Sequence, residues 1–243
     1  MTALLKLADV SKRFDGLVAV NQMKFDIKKG EIVGLLGPNG SGKTTLINLI
    51  SGALSPSQGS ICINGKNIAG KRADQIARAG VARTFQLVRI LPSMTVLENA
   101  RVPAAFGAKA HRGSEIDRIA LTHLKKVGLG DKADMMPGEL TYIDQKRLEL
   151  ARALAAEPEV LLLDEWLAGL NPSELQDGIA LIKELQSTGL TILLVEHIME
   201  AVRALCPRCV VMNAGTLIAD GPTNEVLANP DVVAAYLGDE YDA

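Results

Sequence analysis

The nine residues "GPNGSGKTT", Gly37 to Thr45, constrain the fold of this chain more than any other stretch. They satisfy the pattern G-x-x-x-x-G-K-[ST], and they stand between the apolar run "EIVGLL" and the helix-forming run "TTLINLI". A buried strand must therefore enter a glycine turn that opens directly into a helix. Gly37, Gly40 and Gly42, with Pro38, Asn39 and Ser41 between them, let successive N–H groups point inward at phosphate oxygens. The helix N-terminus adds its positive end. Lys43 reaches the β and γ phosphates, Thr44 offers a hydroxyl to Mg²⁺, and Thr45 bonds the next phosphate. An ordinary glycine turn before a helix has no need of a lysine followed by a hydroxyl at these two places.

The 243 residues suit one large α/β domain with inserted parts better than two separate folds. Residues 3–36 alternate like strands around the turn "KKG", forming a partly antiparallel β-layer that feeds one buried strand. A helix to Ser51, the turn "SPSQG", a short strand at 60–64, a helix near 73–79 and the strand "VARTF" follow. Strand signals stop over 87–158, which reads as a helical insert. Its helices start at Thr95, at Ser114 as N-cap and near Thr141. From 160 the signals alternate again: "VLLLDE", a helix over 173–186, "LTILLVE", a helix from Ile198 and the hairpin "CVVMNAGTLIADG", then a helical tail over 223–243. Such alternation implies βαβ crossovers and a parallel sheet.

A net charge of −2 supplies no field for a polyanion partner, so nucleic acid is not expected. The N-terminus lacks the pattern of a secretory signal, and no run of 18 apolar residues occurs, so a cytosolic chain without a membrane span is expected. Cys206 and Cys209 form a C-x-x-C that could serve redox or zinc chemistry. With no second pair nearby, they read instead as small apolar residues at a strand start.

Two further strand ends carry chemistry. "EVLLLDEW" delivers Asp164 and Glu165 to the carboxyl edge of a buried strand, where α/β sheets bind ligands. Asp164 can hold Mg²⁺, mostly through water, and Glu165 can orient or deprotonate the water attacking the γ-phosphate. "LTILLVEH" delivers His197 to the same edge, within reach of the γ-phosphate.

Together these residues resemble the ATP-binding subunits of ABC transporters over nearly the whole chain. The resemblance implies the ABC ATPase version of the P-loop NTPase fold: a mixed, largely parallel sheet core, an antiparallel β-subdomain and an inserted helical subdomain. It implies a nucleotide-binding core at 1–86 and 159–222, the helical subdomain at 87–158 and the C-terminal tail. In that family Phe14 in "SKRFDG" matches the aromatic that stacks on adenine. Gln86 in "VARTFQ" matches the glutamine that links Mg²⁺ to the membrane-contacting subdomain. "AGLNP", 168–172, matches the loop through which two subunits communicate. "GVARTFQLVRI", "TVLEN", "AGLNP" and "VVAAYLG" look most like the ATPases of branched-chain amino acid importers, which pair with a second, non-identical ATPase. Implied partners are a second ATPase subunit, identical or not, two permease subunits and, indirectly, a solute-binding protein. The implied location is the cytoplasmic face of the inner membrane.

Three positions depart from the family pattern. The signature L-S-G-G-Q, or L-S-Y-G-Q in this branch, is Leu140, Thr141, Tyr142, Ile143, Asp144; the usual proline after the acidic pair is Trp166; the usual aspartate after the histidine is Ile198. In such dimers the signature closes over ATP held by the other subunit. Thr141 keeps the hydroxyl and can cap the helix, with Asp144 as a capping-box partner. Ile143 puts a β-branched side chain where glycine lets backbone approach phosphate. Asp144, if it faces the nucleotide about 6 Å away, adds a repulsion of roughly 3 kcal/mol at an effective dielectric near 20. If it turns outward as a cap, only Ile143 matters. Lys146 and Arg147 either offset this charge or point to water, and Trp166 either stiffens the 167–171 loop or simply packs.

The expected function is a transport ATPase in which MgATP closes a dimer and hydrolysis reopens it. Import is favoured over export. A nucleotide-binding regulatory or structural subunit with little turnover is the alternative that the altered signature favours. A cassette acting on ribosomes or in DNA repair is disfavoured, because such chains carry two cassettes or a long coiled insert.

Overall fold

Alternating apolar residues make two long strands of the first part of the chain, β1 (Ala3–Phe14) and β2 (Leu17–Lys28), which pair antiparallel. The computed structural model describes residues 3–238. On its other edge β1 pairs with β4 (Gln58–Ile63), itself edged by β5 (Lys66–Asn67), giving a four-stranded sheet in the order β2-β1-β4-β5.

The second sheet has six strands in the order β10-β9-β3-β8-β7-β6: β3 (Ile32–Leu36), β6 (Val81–Arg83), β7 (Val160–Asp164), β8 (Thr191–Val195), β9 (Arg208–Asn213) and β10 (Thr216–Pro222). All neighbours pair parallel except the β9–β10 hairpin. Strands β3, β7 and β8 are buried at every residue, because both faces of this sheet are covered. Their odd and even residues go to different cores. Val33, Leu35, Leu162 and Leu193 pack with the antiparallel sheet and α1 (Lys43–Ile50). Leu36, Leu161, Leu163 and Leu194 pack with α6 (Pro172–Ser187), α7 (Met199–Leu205) and α5 (Tyr142–Ala155). A mixed, largely parallel core with an antiparallel layer is thus the fold the sequence pattern calls for.

Between β6 and β7 the chain holds α3 (Val96–Phe106), α4 (Ser114–Lys126) and α5, and α2 (Ala73–Arg78) precedes β6. Thr95 starts α3 with a reciprocal capping box to Glu98. α8 (Thr223–Leu227) and α9 (Pro230–Gly238) end the described chain, and residues 239–243 of the expected tail lie outside the described residues. No helix among the described residues is long and apolar enough to cross a membrane.

Local boundaries differ from expectation by a residue or two at several places: the strand expected at 60–64 runs Gln58–Ile63, and the helix expected from Ile198 begins at Met199. Ser114 is the first helical residue of α4 rather than its N-cap. Gly113, at φ 56°, turns the chain one residue earlier, and no side chain caps the helix. The strand expected over "VARTF" ends at Arg83, although the Thr84 N–H still reaches the Leu162 carbonyl. The helix expected from Ser173 begins at Pro172, because Asn171 and Glu174 form a capping box with proline at the first turn.

Candidate active site

A cavity of about 560 Å³ opens above the carboxyl ends of β3, β7 and β8. Asn39, Gly40, Ser41, Gly42, Lys43, Thr44 and Thr45 line one side, Glu165 and His197 another, and Phe14 with Leu17, Val18 and Ala19 the rim. The loop from Gly37 holds this shape because glycine is required there. At φ 145°, a Cβ on Gly37 would lie 2.1 Å from the Met212 carbonyl oxygen, and one on Gly42 would lie 2.5 Å from that of Ala19. Gly37 and Pro38 stand behind the lining and give their carbonyls to Lys43 Nζ at 2.6 and 2.8 Å. The ammonium is thus held across the loop, and α1 begins with no acidic residue in its first turn. The cationic side chain and the N-terminus of α1 thus meet at one concavity suited to an anion, whereas the Gly37 N–H, expected to face phosphate, is given to the Tyr236 hydroxyl.

Glu165 adopts φ 51°, a conformation strained for a residue with a side chain, immediately after β7. Its carboxylate accepts from Gln86 Nε2 at 2.7 Å on one oxygen and lies 3.1 Å from His197 Nε2 on the other. Three residues from different strand ends therefore meet at one carboxylate.

Asp164 is placed differently. Its Oδ2 pairs with Arg83 at 2.6 Å, both side chains are buried, and it does not line the cavity. Arg83 also donates to Asn48 Oδ1 at 2.6 Å, which ties β6 to α1. For Mg²⁺ the donors available are all oxygen: the Thr44 hydroxyl, the Gln86 amide oxygen, with Nε2 already given to Glu165, and the Asp164 carboxylate, with one oxygen given to Arg83. A hard cation with several waters fits such a set.

Thr141 lies away from this cavity, on the helical insert, where its hydroxyl caps α5 by accepting from the Asp144 N–H at 3.3 Å. The reciprocal capping-box bond expected of Asp144 is not made. Neither orientation expected for Asp144 occurs: the residue is buried, and its Oδ2 accepts from Lys132 Nζ at 2.6 Å, with Arg147 at 3.7 Å from Oδ1. Ile143 is half-buried beside a small cavity of about 170 Å³ shared with Val127, Trp166 and Gly178. Lys146 neither offsets Asp144 nor points to water. Its Nζ donates to the carbonyls of Trp166 and Ala168 at 2.9 and 2.7 Å, while Trp166 Nε1 donates back to the Lys146 carbonyl at 3.0 Å. Ile198, where the family carries aspartate, starts α7 without a side-chain cap.

Sequence reasoning missed Arg83, Glu196 and Tyr236. Arg83 lies within "VARTFQ", but only the pairing of β6 with β7 brings it to Asp164. Glu196 is almost wholly buried. Its Oε1 accepts from the Leu167 N–H at 2.7 Å, and burial pushes its carboxyl up to about 7. The Tyr236 hydroxyl accepts from the Gly37 N–H at 2.8 Å, so α9 braces the first glycine of the loop. Cys206 and Cys209 are buried free thiols packed against Gly34, where a Cβ would meet Cys209 Sγ at 2.9 Å.

Known proteins resemble this chain closely. The family model described as ABC transporter matches residues 20–168, and that described as branched-chain amino acid ATP-binding cassette transporter matches 216–242. The chain is 41% identical over 250 residues to the high-affinity branched-chain amino acid transport ATP-binding protein LivG of Salmonella typhimurium, spanning 97% of this chain and 98% of that one. Its fold superposes with a TM-score of 0.87 on the ADP conformation of an ATP-binding cassette of an ABC transporter, at 30% identity over 98% of this chain and 100% of the other. It also matches the dimeric post-hydrolysis state of a cassette bound to ADP and Pi, at TM-score 0.79 and 28% identity over 90% of this chain and 98% of that one.

Proposed function

Because this chain belongs to the ATP-binding cassette family of transporter ATPases, we propose that it energises an importer of branched-chain amino acids or related small solutes. It does so by closing with a second ATPase subunit over MgATP. The observation that carries the catalytic part is the Glu165 carboxylate at the cavity wall, held by Gln86 on one oxygen and His197 on the other. The importer assignment is supported by the likeness to LivG and by the matching C-terminal segment.

Lys43 and the loop N–H groups hold the β and γ phosphates, and Phe14 at the rim takes the adenine face. Thr44, Gln86 and Asp164 would hold Mg²⁺, which would supply positive charge to neutralise that developing on the phosphates. Glu165 aligns the attacking water and takes up its proton in part. Its two hydrogen-bonding partners restrain it, so the water is positioned rather than merely admitted. His197 contributes a second polar group on the γ-phosphate side. Gln86 lies next to Leu87, which is exposed at the start of the helical insert, a route from the nucleotide to permease contacts.

The signature suggests asymmetry as well. This chain's own phosphate loop hydrolyses ATP when the partner supplies a sound signature, while Ile143 makes its own signature a poor cover for the opposite site.

The test is the Glu165→Gln variant in the transporter reconstituted in vesicles. Turnover should fall at least about 100-fold while MgATP binding stays within severalfold of native. Undiminished turnover would overturn the catalytic assignment. Native vesicles that hydrolyse ATP but accumulate no leucine, isoleucine or valine would overturn the substrate class alone.

A further inference from the structure

We infer that Lys146 and Trp166 are positioning residues that lock the signature helix α5 to the segment following Glu165, so that the catalytic carboxylate is placed correctly only when α5 is. This rests on the ATPase reading above.

Lys146 is only 2% exposed, and its ammonium ends on two backbone carbonyls, those of Trp166 and Ala168. The indole N–H of Trp166 returns a bond to the Lys146 carbonyl. The two residues therefore grip each other in both directions, which fixes α5 against the segment in translation and in rotation. Between these anchors the Leu167 N–H is taken by Glu196, next to His197, and the Ala168 N–H by the Glu165 carbonyl at 3.2 Å. The Glu165 N–H is held by Val195 at 2.9 Å. The segment 165–168 is thus pinned between α5 and the end of β8, with Glu165 at its head.

The outer end of the grip is the signature itself. The Tyr142 ring lies 5.2 Å from Lys146 Nζ, and a Cβ on Gly169 would lie 3.7 Å from Tyr142 Cε1. A force on the exposed signature, such as nucleotide pressed against it by the other subunit, reaches the Glu165 segment through the Lys146–Trp166 grip and the Tyr142–Gly169 contact.

Stability alone does not account for a lysine here. Burying an ammonium carries a desolvation cost, which lowers the lysine's affinity for its proton and offsets much of what its two carbonyl bonds contribute. The proline usual at position 166 lacks a side-chain donor, so the returning bond belongs to the tryptophan found here.

The experiment compares Lys146→Met, Lys146→Arg and Trp166→Phe in the reconstituted transporter, reading kcat, KM for MgATP and the thermal midpoint. Lys146→Met should lose about tenfold or more in kcat with KM within about twofold. Its thermal midpoint should fall by no more than a few degrees, because the loss of a donor to two carbonyls is partly offset by relief of the buried charge. Lys146→Arg, which can still donate to both carbonyls, should recover most of the rate. Trp166→Phe, which deletes the returning bond and leaves a small cavity where the second ring stood, should lie between. Native kcat in Lys146→Met, or a loss of kcat that follows a lowered midpoint and is not rescued by arginine, overturns the inference. If Lys146→Met does not fold, Trp166→Phe decides: a selective fall in kcat supports the grip, and native kcat rejects it. Glu165→Gln is run alongside. If it keeps full turnover, the ATPase assignment of Glu165 has failed, whatever the Lys146 variants do.

Discussion

Arg83 and Asp164 show how a catalytic-type carboxylate is set by a residue far away in sequence. Their side chains are both buried and 2.6 Å apart, so removing either leaves an uncompensated charge. Arg83→Met should cost about 3–5 kcal/mol of unfolding free energy, read by urea denaturation, and a loss below about 1 kcal/mol would show that Asp164 finds another partner. The motif positions Gly37–Thr45, Asp164, Glu165 and His197 were legible because each motif stands at the end of an apolar strand. Arg83 was not, because nothing in "VARTFQ" states which strand lies beside β6. Adjacency of β6 and β7 aligns Arg83 with Leu162, two residues from Asp164.

At the scale of elements, α5 is the instructive case. Its start was readable, since Thr141 caps it through its hydroxyl. The direction of Asp144 was not, because Lys132, its ion-pair partner, sits in a separate short turn before the helix. With that charge paired inside the chain, the proposed weakness of the signature rests on the bulk of Ile143 alone. Ile143→Gly should therefore give the same ATPase rate in the reconstituted transporter, within about twofold, as Ile143→Gly combined with Asp144→Gln. The double variant should also lose about 2 kcal/mol of stability, about 1 for glycine in the helix and about 1 for the ion pair. A rise in turnover seen only in the double variant would mean that Asp144 is felt by the partner's nucleotide.

For the whole molecule, Glu196 links folding to pH. Burial is the largest cause of its raised carboxyl, to about 7 from an ordinary 4.5, with Glu165 adding to it and the Leu167 and His197 amides and Lys146 opposing it. The folded state holds this proton up to about pH 7, whereas the unfolded chain releases it near 4.5. Stability from this group is present below pH 4.5, declines as pH rises through that window, and is lost above about 7. Glu196→Gln keeps an acceptor for Leu167 but cannot ionise. Between pH 5 and 8 the native chain should lose about 2.5 kcal/mol relative to this variant, measured by denaturant unfolding at each pH. Parallel curves would mean that the carboxylate stays charged in the fold. By itself the sequence determined the order of the main strands and helices, the phosphate loop and the two strand ends that carry the acidic pair and the histidine, because these depend on local periodicity and on residues adjacent in the chain. Tertiary structure alone decided that Glu165 shares Gln86 and His197, that Asp164 is paired with Arg83, that Asp144 turns to Lys132, and that Lys146 reaches across to Trp166. Each of these depends on which strands and helices become neighbours, and a buried charge takes whatever partner that packing provides.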